Sequence, residues 1–282
     1  MEQDEIRIEP EGALQEVISH FYCINTSSNF KPVVQHLSPN LQMMLVFNFG
    51  LPVKVSFADR AAGQECIKKV AIIGPLRQML NYEIQPDTDI IICVFNPNGF
   101  YRLFQLHMGE LVNKSVADPD ALLGINGFQD LWEVLKSLPN REERVRMLEV
   151  YGHAFISEAD QETGPLLKGI SYFHHPLIQP VKAISTDSGL SERTIQLRFK
   201  KYLGYSTKEL LRFLRFKQVI KSIQDLDAPI DWHEIVNNYG YHDQSHLIKD
   251  FRHYLGTTPQ KFMKDIAGRQ FCSTDKDQPA KI

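Results

Sequence analysis

Phe199-Lys200-Lys201-Tyr202-Leu203-Gly204 returns 52 residues later as Phe251-Arg252-His253-Tyr254-Leu255-Gly256, and this repeat decides the reading of the C-terminal third of the chain. Each copy is preceded by the same order of features: an apolar helical segment, a glycine turn, a polar capping residue, then a basic helix that is apolar on one side. Two such units in tandem predict two helix-turn-helix elements, an arrangement suited to reading duplex DNA.

In the first unit Val181, Ile184 and Ser185 lead to Asp187-Ser188-Gly189, where glycine supplies the turn and Ser191 caps the next helix. Residues three and four apart share a helix face, so Ile195, Phe199, Tyr202 and Leu203 point to a core. The opposite face carries Arg193, Gln196, Leu197 and Lys200, two cations and an amide able to pair with base edges. In the second unit Asp231-Trp232-His233-Glu234 fits a capping box, Ile235 and Val236 pack inward, Gly240 turns and Asp243 caps. Leu247, Phe251, Tyr254 and Leu255 are then core, leaving Gln244, Ser245, Ile248, Lys249 and Arg252 for the major groove.

Between the units, Ser206-Thr207-Lys208-Glu209 is a second capping box, opening an amphipathic stretch without Pro or Gly to about Gln224. At ~1.5 Å per residue this single helix measures roughly 27 Å, near the ~34 Å between successive major-groove faces on one side of a duplex. Phosphate contacts are expected from Arg198, Lys201 and His253, with help from Lys200, Arg252 and helix N-termini.

Residues from about 178 to 264 resemble the double helix-turn-helix domain of AraC-type (AraC/XylS) transcription regulators. The resemblance rests on an ordered set: Ser191, Ile195 and Phe199, Gly204 and Ser206, Arg215, Gly240-Tyr241, Asp243-Gln244-Ser245, Phe251, Gly256 and Pro259. It implies a DNA-binding regulator of transcription. The family usually has Ala where this chain has Ser185, Val219 and Val236, which alters packing only, and often Arg in place of Leu197 and Lys249. Leu197 offers only apolar contact, for example with a thymine methyl, which weakens direct readout by the first unit.

The net charge of −3 divides unevenly: Leu166 to Ala267 holds 15 Lys/Arg against 10 Asp/Glu, so this segment carries +5 and the remainder −8. That split suits a nucleic-acid module joined to an acidic partner domain. Cys23, Cys66, Cys93 and Cys272 show neither disulfide nor metal spacing, the start Met1-Glu2-Gln3-Asp4-Glu5 is unlike a signal peptide, and the apolar runs are too short to span a bilayer. These features predict free thiols and a cytoplasmic chain.

The N-terminal half is instead made of short β-branched and aromatic runs, at Val33-Val34, Met43 to Phe49, Val53 to Phe57, Val70 to Ile73 and Ile90 to Phe95, separated by turn residues. Such spacing predicts an antiparallel, cupin-like β-barrel. Helices follow at Phe100 to Leu106, Phe128 to Lys136 and Arg141 to Ile156; the last carries a stripe of Val145, Leu148, Gly152 and Phe155, suited to packing on its own barrel or, less readily, to a dimer interface. Leu45 to Gly50 and Phe95 to Phe100 resemble an uncharacterised sensor-like domain found ahead of some AraC-type regulators.

The expected fold is therefore α+β in two domains. Residues 1–160 form a β-barrel sensor or dimerisation domain with helices after about residue 100, 161–177 a linker, 178–267 an all-α tandem helix-turn-helix domain and 268–282 a flexible tail. An apolar barrel can hold one small molecule. Tyr22, Phe47, Phe49, Arg77, Tyr82, Phe95 and Tyr101 are the candidates to line such an effector pocket, against the alternative of a barrel filled by its own side chains. Further candidate partners are a second copy of the chain and RNA polymerase.

Three rival classes are weaker. A metal-dependent cupin enzyme needs clustered histidines, whereas His36 and His107 stand alone and His174-His175-Pro176 lies between the halves. The four cysteines lack the clustering of a zinc-held DNA-alkylation repair centre, and no nucleophile-elbow or phosphate-cradling motif occurs. No catalytic residue, cofactor or metal is expected. A protein-interaction module with degenerate helix-turn-helix units draws support from Leu197, Glu192 and Asp250, since acids near phosphates repel.

Overall fold

The computed structural model describes residues 3–58, 65–108, 116–124, 126–157, 162–175, 178–224, 230–266 and 271–272. The β-rich half consists of two facing sheets. One sheet has the order β1 (Gln3–Ile8), β2 (Ile18–Thr26), β9 (Asp89–Phe95), β4 (Met44–Asn48), β7 (Val70–Ile73) and β10 (Val116–Ala117). The other runs β11 (Phe271–Cys272), β3 (Val33–Leu37), β8 (Leu80–Ile84), β5 (Val53–Phe57) and β6 (Glu65–Ile67). Among the described residues every strand pairing is antiparallel except β11 on β3.

Strand β4 shows why the sequence here reads as an unbroken apolar run. Successive side chains of a strand point to opposite faces. Met44 and Val46 enter the core between the sheets with Val53, Val55, Leu80 and Ile90. Leu45 and Phe47 enter the core on the other face with Phe21 and Cys93, beneath α1 (Gly99–Phe104), α2 (Pro119–Leu123), α3 (Gly127–Ser137) and α4 (Arg141–Phe155). A sheet covered on both sides needs apolar residues at both parities. Fully burying a phenylalanine such as Phe47 contributes roughly 1.5–3 kcal/mol relative to exposure. On α4, Val145 and Leu148 are buried in this core and Gly152 abuts Leu14, whereas Phe155 remains 46% exposed. Most of the stripe thus packs on its own domain.

The helical half begins earlier than expected. The stretch expected as a linker contains α5 (Gly164–Gly169) and a 3-10 turn at Ile170–His174, and their Leu166 and Phe173 sit in the first helix-turn-helix core. Then follow α6 (Pro180–Ser188), α7 (Glu192–Arg198), a π-helical turn at Phe199–Leu203, α8 (Thr207–Gln224), α9 (Trp232–Asn238), α10 (Gln244–Leu255) and α11 (Pro259–Asp265). Helix α8 divides its buried face: Leu210 lies in the first core with Ile184, Ile195 and Phe199, and Phe213, Phe216 and Val219 in the second with Leu247, Phe251 and Tyr254. One continuous helix therefore belongs to both units.

The halves meet through the segment joining β7 to β8. Arg77 Nη2 donates to the Gly204 carbonyl, Gln78 Nε2 to that of His253 at 3.3 Å, and the Met79 amide to that of Tyr254 at 2.7 Å. Met79, 2% exposed, is buried in the second unit's core. The accepting carbonyls lie at the C-terminal ends of the two repeat helices, where backbone oxygens lack intrahelical partners. A side chain at Gly204 (φ 80°) would also press on Pro75 and Met108 at 3.0 Å. The expected flexible tail is corrected at one point, because Phe271–Cys272 pairs with β3 and Phe271 stacks edge-on against Phe262 at 5.2 Å.

Candidate nucleic-acid interface

Both units are built by caps of the expected kind. Ser191 Oγ accepts from the Thr194 amide at 3.1 Å and Asp243 Oδ1 from that of His246 at 2.8 Å, so each repeat helix starts with a satisfied donor. Ser206 and Glu209 form a reciprocal box: Glu209 N donates to Ser206 Oγ at 3.1 Å and Ser206 N to Glu209 Oε2 at 2.7 Å. The box expected at Asp231 is one-sided. Its carboxylate accepts from His233 and Glu234 amides, while the Glu234 carboxylate accepts instead from Asn238. Gly189 (φ 71°) closes α6 in the left-handed region that favours glycine.

The groove-facing candidates occupy one side of each repeat helix. Arg193, Gln196, Leu197 and Lys200 are exposed, Leu197 to 58%, and so are Gln244, Ser245, Lys249 and Arg252, with Ile248 half-buried. Among the described residues, the cations Arg193, Lys200, Lys249 and Arg252 make no side-chain hydrogen bond or ion pair. The proposed phosphate ligands differ from them. Arg198 Nη1 donates to the Glu162 carbonyl at 3.1 Å and Nη2 lies 3.9 Å from its carboxylate. Lys201 Nζ donates to Tyr202 Oη at 2.7 Å and lies 3.6 Å from Glu162. Burial lowers the His253 pKa, so at neutral pH this ring offers an N–H donor rather than a positive charge.

Asp250 is corrected outright. It is fully buried and accepts from Arg212 Nε at 2.7 Å, Tyr241 Oη at 2.9 Å and Arg215 Nη2 at 3.4 Å. Its charge is neutralised inside the unit, tying α10 to α8, and it faces no phosphate. Beside it, burial first and the Asp250 charge second push the Tyr241 hydroxyl well above its ordinary range. The sequence did carry a signal: Asp250 stands three residues after Leu247 and four before Tyr254, on the apolar stripe.

The effector-pocket candidates are only partly brought together. Phe47 and Phe95 lie in the core between sheet and helices; Phe49 stacks on Trp132 with Arg144 over its face. Tyr22 Oη donates to Glu5, Tyr82 Oη to Gln35, both at 2.5 Å. Tyr101 meets Tyr202 of the first unit edge-on at 4.8 Å, and Arg77 belongs to the seam. The thiols of Cys23 and Cys93 are buried; desolvation pushes Cys23 up to about 12. Among the described residues no group of three or more His, Cys, Asp or Glu could hold a metal, and no helix is long and apolar enough to cross a membrane.

Two successive helix-turn-helix units sharing one connecting helix define a tandem helix-turn-helix class of protein. The family description "Helix-turn-helix domain" matches residues 184–265, and a "Domain of unknown function (DUF6597)" matches residues 6–117. "Probable transcription factor PqrA" of Proteus vulgaris is 31% identical over 85 residues, which is 30% of this chain and 68% of that protein. The chain belongs to the AraC family of transcription regulators. "Multiple antibiotic resistance protein MarA" of Salmonella typhimurium is 26% identical over 82 residues, 29% of this chain, and the chain spans 63% of the length of that relative. An apo form of ToxT from Vibrio cholerae aligns with 86% of this chain and 97% of its own, at 9% identity and a TM-score of 0.37.

Proposed function

We propose that this protein is a sequence-specific, duplex-DNA-binding regulator of transcription whose two helix-turn-helix units enter successive major grooves. The observation that carries the reading is the contrast on α10. Its acid, Asp250, is buried and neutralised, while Lys249 and Arg252 beside it stand exposed and without ion pairs among the described residues. An interaction module would draw on an acidic outer face, and burial of Asp250 removes one of the two acids that would form it. Lys249, Arg252, Gln244 and Ser245 select bases with Gln196 and Arg193, and Leu197 supplies an apolar contact. Arg198 and Lys201 contact phosphate by exchanging Glu162 for the backbone.

The β-rich half sets the occupancy of DNA by holding the ends of both reading helices, under the control of a small-molecule effector, in a cytoplasmic setting. Activity as an enzyme has no place in this scheme. Fluorescence anisotropy of the full-length chain on DNA from upstream of its own gene and on scrambled DNA, each at two salt concentrations, tests it. Tighter and strongly salt-dependent binding to the upstream DNA supports the proposal. Equal, salt-insensitive binding to both, repeated with residues 162–282, moves the assignment to the interaction module.

A further inference from the structure

At the seam lies an open cleft of about 550 Å³, within the range that small ligands occupy. Phe57, Ala58 and Gln78 of the β-rich half form one wall, and Arg252, Thr257 and Lys261 of the second unit contribute the other. The named lining holds two cations and no acid, and neither cation is paired among the described residues. Thr257 is 7% exposed, yet its Oγ1 is buried without a hydrogen-bond partner. A buried hydroxyl in that state is costly unless a ligand atom completes it.

We infer that this cleft is the binding site of a small organic anion, a carboxylate or a phosphate monoester. Its charge would sit between Arg252 and Lys261, an oxygen would accept from Thr257 Oγ1, and its body would lie against Phe57. The backbone of a bound duplex offers the same phosphate chemistry, but a free anion fits better. One wall belongs to the β-rich half, and the Thr257 side chain is almost wholly buried. The inference rests on the regulatory reading, because it names where an effector acts. Gln78 joins the cleft to the seam and Arg252 joins it to the outward face of α10, so an occupant competes with DNA for Arg252. Coupling of this kind is reciprocal, the DNA weakening the anion by the same factor.

The test uses the full-length chain with glycerol 3-phosphate, succinate and inorganic phosphate, each against sodium chloride at matched ionic strength. Titration calorimetry and thermal melting are the readouts. The expected result is saturable binding of at least one organic anion, weakened about tenfold or more in both Lys261→Gln and Thr257→Val, with ligand-free DNA affinity unchanged in Thr257→Val. Absence of saturable binding for all three anions, or equal binding by the variants, overturns the inference. If the anions fail and Lys261→Gln instead lowers the salt slope of DNA binding by about one, the cleft serves a DNA phosphate. That outcome also overturns the free-anion site and leaves the regulatory reading standing.

Discussion

The two helix-turn-helix units share a six-residue closing motif but are braced differently. Aligned on the repeat, Lys249 stands where the first unit has Leu197, and Asp250 where it has Arg198. In the second unit the acid turns inward and binds Arg212 and Arg215 of α8, and α10 runs unbroken for 12 residues. In the first unit the cation turns outward to Glu162, and α7 spans 7 residues before a π-helical turn takes over. Such turns are rare and frequent at functional sites. One unit is therefore locked to the connecting helix by a buried charge and presents a cation, whereas the other turns its cation outward to Glu162 and presents a leucine.

The largest effect should come from breaking the inner brace. Asp250→Ala removes the shared acceptor of two arginines and a tyrosine. We expect a loss of ~2–4 kcal/mol, toward the low end because both arginines keep partial access to water. Urea unfolding reads this, and a loss below ~1 kcal/mol would show that the brace is dispensable. Next, Lys249→Ala should weaken operator binding by ~1–3 kcal/mol while leaving random-sequence binding nearly untouched. Unchanged discrimination would remove Lys249 from the base-reading set.

The complementary change makes the units more alike. Leu197→Arg should tighten binding across all sequences and steepen the salt slope by about 0.9. A fixed slope would mean that Leu197 points away from DNA. The smallest effect concerns pH. The folded pKa of His253 is lowered, by burial first and Arg212 second. The folded state therefore binds fewer protons than the unfolded one just below pH ~6.5, and stability there rises with pH. His253→Gln should flatten that part of the profile in thermal melts at pH 5 to 7; an unaltered slope would assign it to other groups.

Local pattern carried the helical half well, because capping residues and a 3.6-residue stripe are written within a few turns of chain. Helix α8 was expected from Ser206 to about Gln224 and runs Thr207–Gln224. Strands β5 and β7 coincide with the runs read at Val53 to Phe57 and Val70 to Ile73. Strands β1, β2 and β8 were not read, since residues such as Glu5, Arg7, His20 and Asn81 interrupt their apolar content, and their pairing is set by distant partners. The pocket candidates illustrate the same limit. Sequence marks an aromatic residue as buried, but only tertiary pairing decides that Phe47 faces the helices and Tyr82 the opposite sheet. The seam was legible only as Arg77 and Tyr101, both assigned to a pocket, because no local period announces a contact with Gly204 or Tyr202 far along the chain.

Strand β11 alters what counts as a domain. The helical half leaves the β-rich half after α4 and comes back to it at Phe271, so it is a loop sewn down at both hems rather than a pendant on a string. Rotating it away from the sheets means breaking the seam at Arg77, Gln78 and Met79 and unpicking the C-terminal stitch, which among the described residues is only two residues wide. Of these fastenings, the pairing of Phe271–Cys272 with β3 is the one made by the chain after its last helix.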